Sequence, residues 1–128
     1  MKKLIPFVLL ASLFACGGGG FKLDQTNPES VVNAVFESAR TGDFAMLKDL
    51  CDPIGDGDGD TRDICNAANM DDEFKAEFTK FFKDGKVAGS AVVEGDRASV
   101  PILFGPGASE KETFKLIQRN GKWYLYSI

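Results

Sequence analysis

Hydrophobic positions change period along this chain, and each change marks a structural boundary. Leu4 to Phe14 is an apolar run broken only by Pro6 and Ser12. From Pro28 to Phe82 apolar residues recur at helical intervals, and from Val87 onward they alternate. Asn27 suits a helix cap and Pro28 the first helical position, where a missing N–H costs nothing. Val31, Val32, Val35, Phe36 and Ala39 form an apolar stripe, and Thr41-Gly42 ends it. Asp43 then caps an expected second helix carrying Phe44, Leu47, Leu50 and Cys51, stopped by Pro53. A third helix begins near Asn69 to Asp72, with Asp71, Asp72 and Glu73 favoured by the helix dipole. Its Phe74, Phe78, Phe81 and Phe82 fall at i, i+4, i+7 and i+8, on one face. Asp84-Gly85 ends it.

Period two takes over at Lys86. Val87 to Glu94 and Arg97 to Phe104 read as strands around Gly95-Asp96, a register that pairs Glu94 with Arg97. One face then carries Ala91, Val93, Ala98, Val100, Ile102 and Phe104. Pro101 lacks a ladder donor, which points to an edge or a bulge. Gly105-Pro106-Gly107 turns the chain. Glu112 to Arg119 and Lys122 to Ile128 form a second hairpin through Asn120-Gly121, a strong turn signal. Its register sets Phe114, Leu116, Trp123 and Leu125 toward the helices, and Lys115, Ile117, Tyr124, Tyr126 and Ile128 away from them. Helices followed by antiparallel strands imply an α+β domain: three N-terminal helices packed on a curved four-stranded antiparallel sheet.

The apolar run at the start is too short to cross a bilayer, which takes about 20 residues. With Lys2 and Lys3 before it, the run has the form of a secretory signal. Leu13-Phe14-Ala15-Cys16 resembles the lipobox of bacterial lipoproteins, with small Ala15 before the cysteine; Phe14 is bulkier than the usual occupant. The resemblance implies that residues 1–15 are removed and that Cys16 becomes an acylated N-terminus. One acyl chain holds only marginally, at about 0.8 kcal/mol per buried methylene, and the two or three chains of this class hold durably. Gly17 stands where an Asp retains many such proteins in the inner membrane. The resemblance therefore implies the outer membrane, facing the periplasm. Residues 16–26 read as the anchor and a glycine-rich tether; about nine such residues span roughly 15–18 Å. The domain proper is expected over residues 27–128.

Charge and cysteine content narrow the picture further. The chain has 19 acidic and 15 basic residues and no histidine. An acidic mature chain argues against nucleic acid and against an electrostatic grip on anionic lipid. The lack of histidine removes His-dependent triads, His metal sites and the usual base near neutral pH. Of three cysteines, assigning Cys16 to lipid leaves Cys51 and Cys65. In an oxidising compartment they are expected to pair; two free thiols is the alternative.

Two stretches carry candidate chemistry. Residues 55–60 alternate Gly and Asp, and Asp56, Asp58 and Asp60, with Asp63, resemble the start of a calcium loop. The match fails at Thr61, where the turn needs Gly, and at Ala67, where a bidentate Glu belongs. The alternatives are a solvated loop and a weak calcium site. The phenylalanine stripe is either core or the lining of an apolar pocket, for which Phe74, Phe78, Phe81, Phe114 and Trp123 are the candidates. No cofactor is implied.

Taken together, Asn27-Pro28-Glu29-Ser30, Thr41-Gly42-Asp43-Phe44 and Asn120-Gly121-Lys122-Trp123 resemble the NTF2-like (cystatin-like α+β) superfamily, and more narrowly its small bacterial lipoproteins of unknown function. The resemblance covers about residues 27–128 and implies a cone-shaped fold. An early short strand usual there is absent unless residues 61–65 supply it. The superfamily hosts isomerases, dehydratases, ligand binders and interaction domains, so the fold leaves the function open. Its catalytic members place an Asp, Glu or His inside the cone, and the expected inner face here carries none. The expectation is a non-catalytic envelope lipoprotein binding a small apolar ligand or a protein partner. The alternatives are an accessory protein without a pocket and an enzyme with a carboxylate base. The protein isolated from its host envelope is expected to begin at acylated Cys16. Its intact mass checks this, and an unacylated chain starting at Met1 contradicts it.

Overall fold

Asn27 and Pro28 start the first helix as their chemistry dictates. The structure, a computed structural model, describes residues 21–128, so the leader, Cys16 and residues 17–20 lie outside the described residues. Helix α1 spans Pro28–Thr41; the Asn27 side chain accepts from the Glu29 N–H, and Gly42 closes the helix at φ 80°. Val31, Val32, Val35 and Phe36 are fully buried. Each such side chain contributes about 1.5–3 kcal/mol by leaving water. Phe21, expected within the tether, packs instead on this core.

The expected second helix is a single 3-10 turn, Phe44–Leu47, and Asp43 makes no side-chain capping bond there. The reason lies at residues 50–52, which leave the helical path to pair with a strand. The Leu125 N–H donates to Leu50 O at 2.7 Å, and the Asp52 N–H donates to Leu125 O at 3.3 Å. The result is one parallel bridge at Cys51. Helix α2, Gly59–Cys65, stands where a loop or a short strand was expected. Its N-cap is Asp58, whose side chain accepts from the Thr61 N–H. Short polar side chains compete for the backbone in this way and favour helix starts. A disulfide joins Cys51 to Cys65, 14 residues on. Closing a loop of this length contributes about 3 kcal/mol. Helix α3 spans Asp72–Phe82, capped by Asp71, which accepts from the Phe74 N–H.

Five antiparallel strands follow: β1 Lys86–Val87, β2 Val92–Glu94, β3 Arg97–Phe104, β4 Glu110–Arg119 and β5 Lys122–Ser127. The sheet order is β1-β3-β4-β5, with β2 also on β3. The single strand expected over residues 87–94 is therefore two. Val87 opposes Ile102 and Val92 opposes Ser99, so four residues bulge out across from Val100 and Pro101. Pro101 explains the break. Its carbonyl accepts from the Ala88 N–H at 2.8 Å, so its missing N–H faces the same neighbour. In the bulge the Ala91 N–H donates to the Glu29 carboxylate of α1 at 2.9 Å.

Both turn registers are the expected ones, Glu94 against Arg97 and Arg119 against Lys122. Ala98, Val100, Ile102, Phe114, Leu116, Trp123 and Leu125 face the helices and are buried. Val93, expected among them, is 52% exposed, because β2 is solvent-exposed along its length.

The outer edge of β5 is sealed by chain from three places. The Trp123 N–H donates to Gln25 O at 2.7 Å, Leu125 pairs with residues 50 and 52, and the Asp58 N–H donates to Tyr126 O at 2.9 Å. A β-bulge makes the last contact possible: Leu116 opposes Leu125 but Lys115 opposes Ser127, so Tyr126 has no partner in β4. Gly57 is needed at this seam. A Cβ there would meet Tyr126 O at 3.0 Å and Thr61 Oγ1 at 3.1 Å.

Candidate functional site

Helix α3 presents its phenylalanines in two directions. Phe78 and Phe82 are buried, with ring centroids 5.0 Å apart. Phe82 continues inward to Phe36 at 6.3 Å and Phe114 at 6.4 Å. Phe74 and Phe81 are half-buried and face a groove. The groove encloses about 370 Å3 between α3, α2, the ends of β3 and β4, and Ile128. This volume lies within the range of small-ligand sites. Its floor is Ile64, Phe74, Phe78, Phe81, Phe82, Phe104 and Ile128. Asp60, Asp63, Glu77 and Glu112 also line it and are exposed, forming an acidic rim.

The five pocket candidates thus separate. Phe74, Phe78 and Phe81 line the groove; Phe114 and Trp123 do not. Phe114 has no exposed surface and Trp123 only 3%. Trp123 lies five residues along β5 from Ile128, roughly 16 Å at strand spacing. The space behind the stripe, where Trp123 was expected to border a cavity, is packed core. Asp60 and Asp63 were candidates for a calcium loop rather than for this groove; Phe82, Phe104, Glu77 and Glu112 were not singled out as site residues. One signal was present: Glu77 falls at i+3 from Phe74 and i−4 from Phe81, flanking the stripe.

The Asp/Gly segment serves the fold. Asp58 Oδ1 accepts from the Thr61 N–H and hydroxyl, both at 2.8 Å, and Oδ2 accepts from the Ile128 N–H at 3.2 Å. Burial works to raise the Asp58 pKa, but the bonds from Thr61 and Ile128 outweigh it and leave the pKa below the usual value. The Arg62 guanidinium donates to Gly57 O. Asp56 lies 3.8 Å from Arg119, and Asp60 belongs to the groove rim. Among the described residues, no group of three or more His, Cys, Asp or Glu side chains is placed to hold a metal ion.

A second feature escaped the sequence reading. The Asp52 side chain has no exposed surface. Arg119 holds it with two hydrogen bonds, Nε to Oδ1 at 2.6 Å and Nη2 to Oδ2 at 2.9 Å. The Ile54 N–H adds a third at 3.1 Å. Hydrogen bonds from Arg119 hold the Asp52 pKa below the ordinary carboxylate range against the opposing effect of burial. A base poised by burial needs the reverse shift. The pair ties the chain after the Cys51 bridge to the end of β4.

No family model and no curated protein matches the chain. Two solved structures do. A SEC-C motif-containing protein from Rhodopseudomonas palustris is 18% identical, with a TM-score of 0.50 over 80% of this chain and 77% of its own. A candidate NTF2-like transpeptidase from Campylobacter jejuni is 14% identical, with a TM-score of 0.52 over 80% of this chain and 98% of its own. The fold is NTF2-like α+β. Identities this low speak to fold alone, so the groove and the Asp52–Arg119 pair stand on the geometry of this chain.

The lowered Asp52 pKa has a consequence for stability. The folded value lies below the unfolded one, so the pair's contribution is complete above 3.8, the ordinary value. It is lost as pH falls through the lowered folded value. Arg119→Gln is expected to be less stable than the parent chain at neutral pH, with the difference shrinking below 3.8. Urea unfolding across a pH series checks this; a difference that stays constant or grows on acidification contradicts it.

Proposed function

We propose that this chain is a lipid-anchored protein of the bacterial envelope whose NTF2-like domain binds a small apolar molecule without transforming it. The anchor reading rests on Lys2, Lys3 and Leu13-Phe14-Ala15-Cys16, and the outer-membrane, periplasm-facing address on Gly17 after the cysteine. The Cys51–Cys65 disulfide suits an oxidising compartment. Among the described residues, no helix is long and apolar enough to cross a membrane. This is compatible with a domain held by acyl chains.

The observation that carries the binding reading is the groove itself. Phe74, Phe81 and Phe104 keep part of their ring surface exposed around about 370 Å3 of open space. Elsewhere the core of the same rings is packed, so the opening is local. The non-catalytic part of the reading is supported by Asp52, whose carboxylate is already engaged by Arg119. The transpeptidase activity suggested for the Campylobacter protein is not carried over to this chain. Docking of an envelope protein is favoured by a different observation, the exposure of Val92 and Val93 at 59% and 52% on the free edge of the sheet.

Amide shifts during octanol titration, on the whole chain carrying Cys16→Ser to keep it free of acyl groups, test the groove. The expected result is saturable shifts centred on Ile64, residues 74–82 and Phe104. Phe74→Ala is expected to weaken binding about tenfold, the loss of part of one buried ring. Shifts that never saturate, or that centre on Val92 and Val93, contradict the groove as the binding site.

A further inference from the structure

We propose that the groove selects an amphiphilic cation: a short alkyl or aryl tail carrying one positive head. The inference rests on the groove being a binding site and adds the charge of its occupant. The chain as a whole has 19 acidic and 15 basic residues. The groove lining departs sharply from that near-balance, with four carboxylates and no Lys or Arg. Among the described residues, none of Asp60, Asp63, Glu77 and Glu112 forms an ion pair.

The division of labour follows from position. Phenylalanine rings and Ile64 form the floor, where a tail leaves water. The carboxylates stand above it in solvent, where a positive head stays hydrated while it is attracted. Ring faces add to this, since a cation over an aromatic face is attracted by its quadrupole. Lys80 sits over Phe81, 5.8 Å from the ring centre, so that face is already engaged and Phe74 and Phe104 are the half-exposed rings left to a ligand. An anionic amphiphile would bring its head into the acidic rim and be repelled. A neutral one would gain only from the floor.

Size sets the class. About 370 Å3 holds on the order of a dozen non-hydrogen atoms, at the roughly 30 Å3 that one water occupies in the liquid. A helix of about 10–12 Å diameter is too wide for such a groove to enclose. The occupant is therefore a small molecule with one head and one tail.

Three probes with one tail and different heads separate the charge inference from the groove reading: octyltrimethylammonium, octanol and octyl sulfate, titrated by calorimetry into the Cys16→Ser chain. The ammonium is expected to bind about tenfold more tightly than octanol, the combined effect of several exposed ion pairs. The sulfate is expected to bind more weakly than octanol. Added salt should weaken the ammonium and leave octanol unchanged. Combining Asp63→Asn, Glu77→Gln and Glu112→Gln should remove the preference while octanol binding persists, and that persistence shows an intact groove. Equal binding of all three probes overturns the cation inference and leaves the groove standing. Failure of all three to bind overturns both.

Discussion

The outer edge of β5 is the constraint on which the rest of this molecule depends. An exposed strand edge offers unpaired N–H and C=O groups to any passing strand. Here the chain closes its own edge with three separate segments: Gln25, residues 50–52 and Asp58. These bonds place the Asp/Gly segment, and with it the Asp58 cap of α2, against the sheet. Because the disulfide and the Asp52–Arg119 pair flank the same seam, α2 is held at both of its approaches. The groove inherits one wall from this arrangement. Without α2 in place, Phe74 and Phe81 would face open solvent.

The other wall, α3, is fixed by different physics. Its buried face joins Phe36, Phe82 and Phe114 into one aromatic core, with centroids 6.3 and 6.4 Å apart. The same helix turns Phe74 and Phe81 outward by a fraction of a turn. The stripe is wider than the core it covers, and the surplus ring surface becomes the groove floor. Core and pocket were alternatives at the level of sequence; in the structure one stripe divides between them.

Much of the fold was legible because local rules and tertiary packing agree. Asn27 capping α1, Gly42 ending it, Asp71 starting α3 and Asn120-Gly121 setting the last hairpin are all decided within a few residues. The failures share a cause. Phe44 to Cys51 has a helical pattern, but Leu50 and Asp52 find backbone partners on Leu125, 75 residues away for Leu50. No local signal reports such a partner. The Asp/Gly run looked like loop because alternating Gly and Asp carries no apolar periodicity; its role depends on the close approach of Gly57 to Tyr126. Pro101 did announce a disruption, which its neighbouring strand then absorbed. At the site, the stripe was readable, whereas Asp60 and Asp63 were read only as calcium candidates and their place in the rim was not. Asp60 and Asp63 on α2 and Glu112 on β4 meet only after the chain folds.

Amide hydrogen exchange at Asp52, Asp58 and Leu125 tests the sealed edge most directly. Their N–H groups are the ones that join residues 50–58 to β5. If the seam carries the fold, all three exchange as slowly as the interior of β3 and β4, and Asp58 slows together with α2 as one unit. Exchange at Asp52 and Asp58 as fast as in an open loop, beside a protected β4, would mean that α2 is not held against the sheet and that the groove has no second wall.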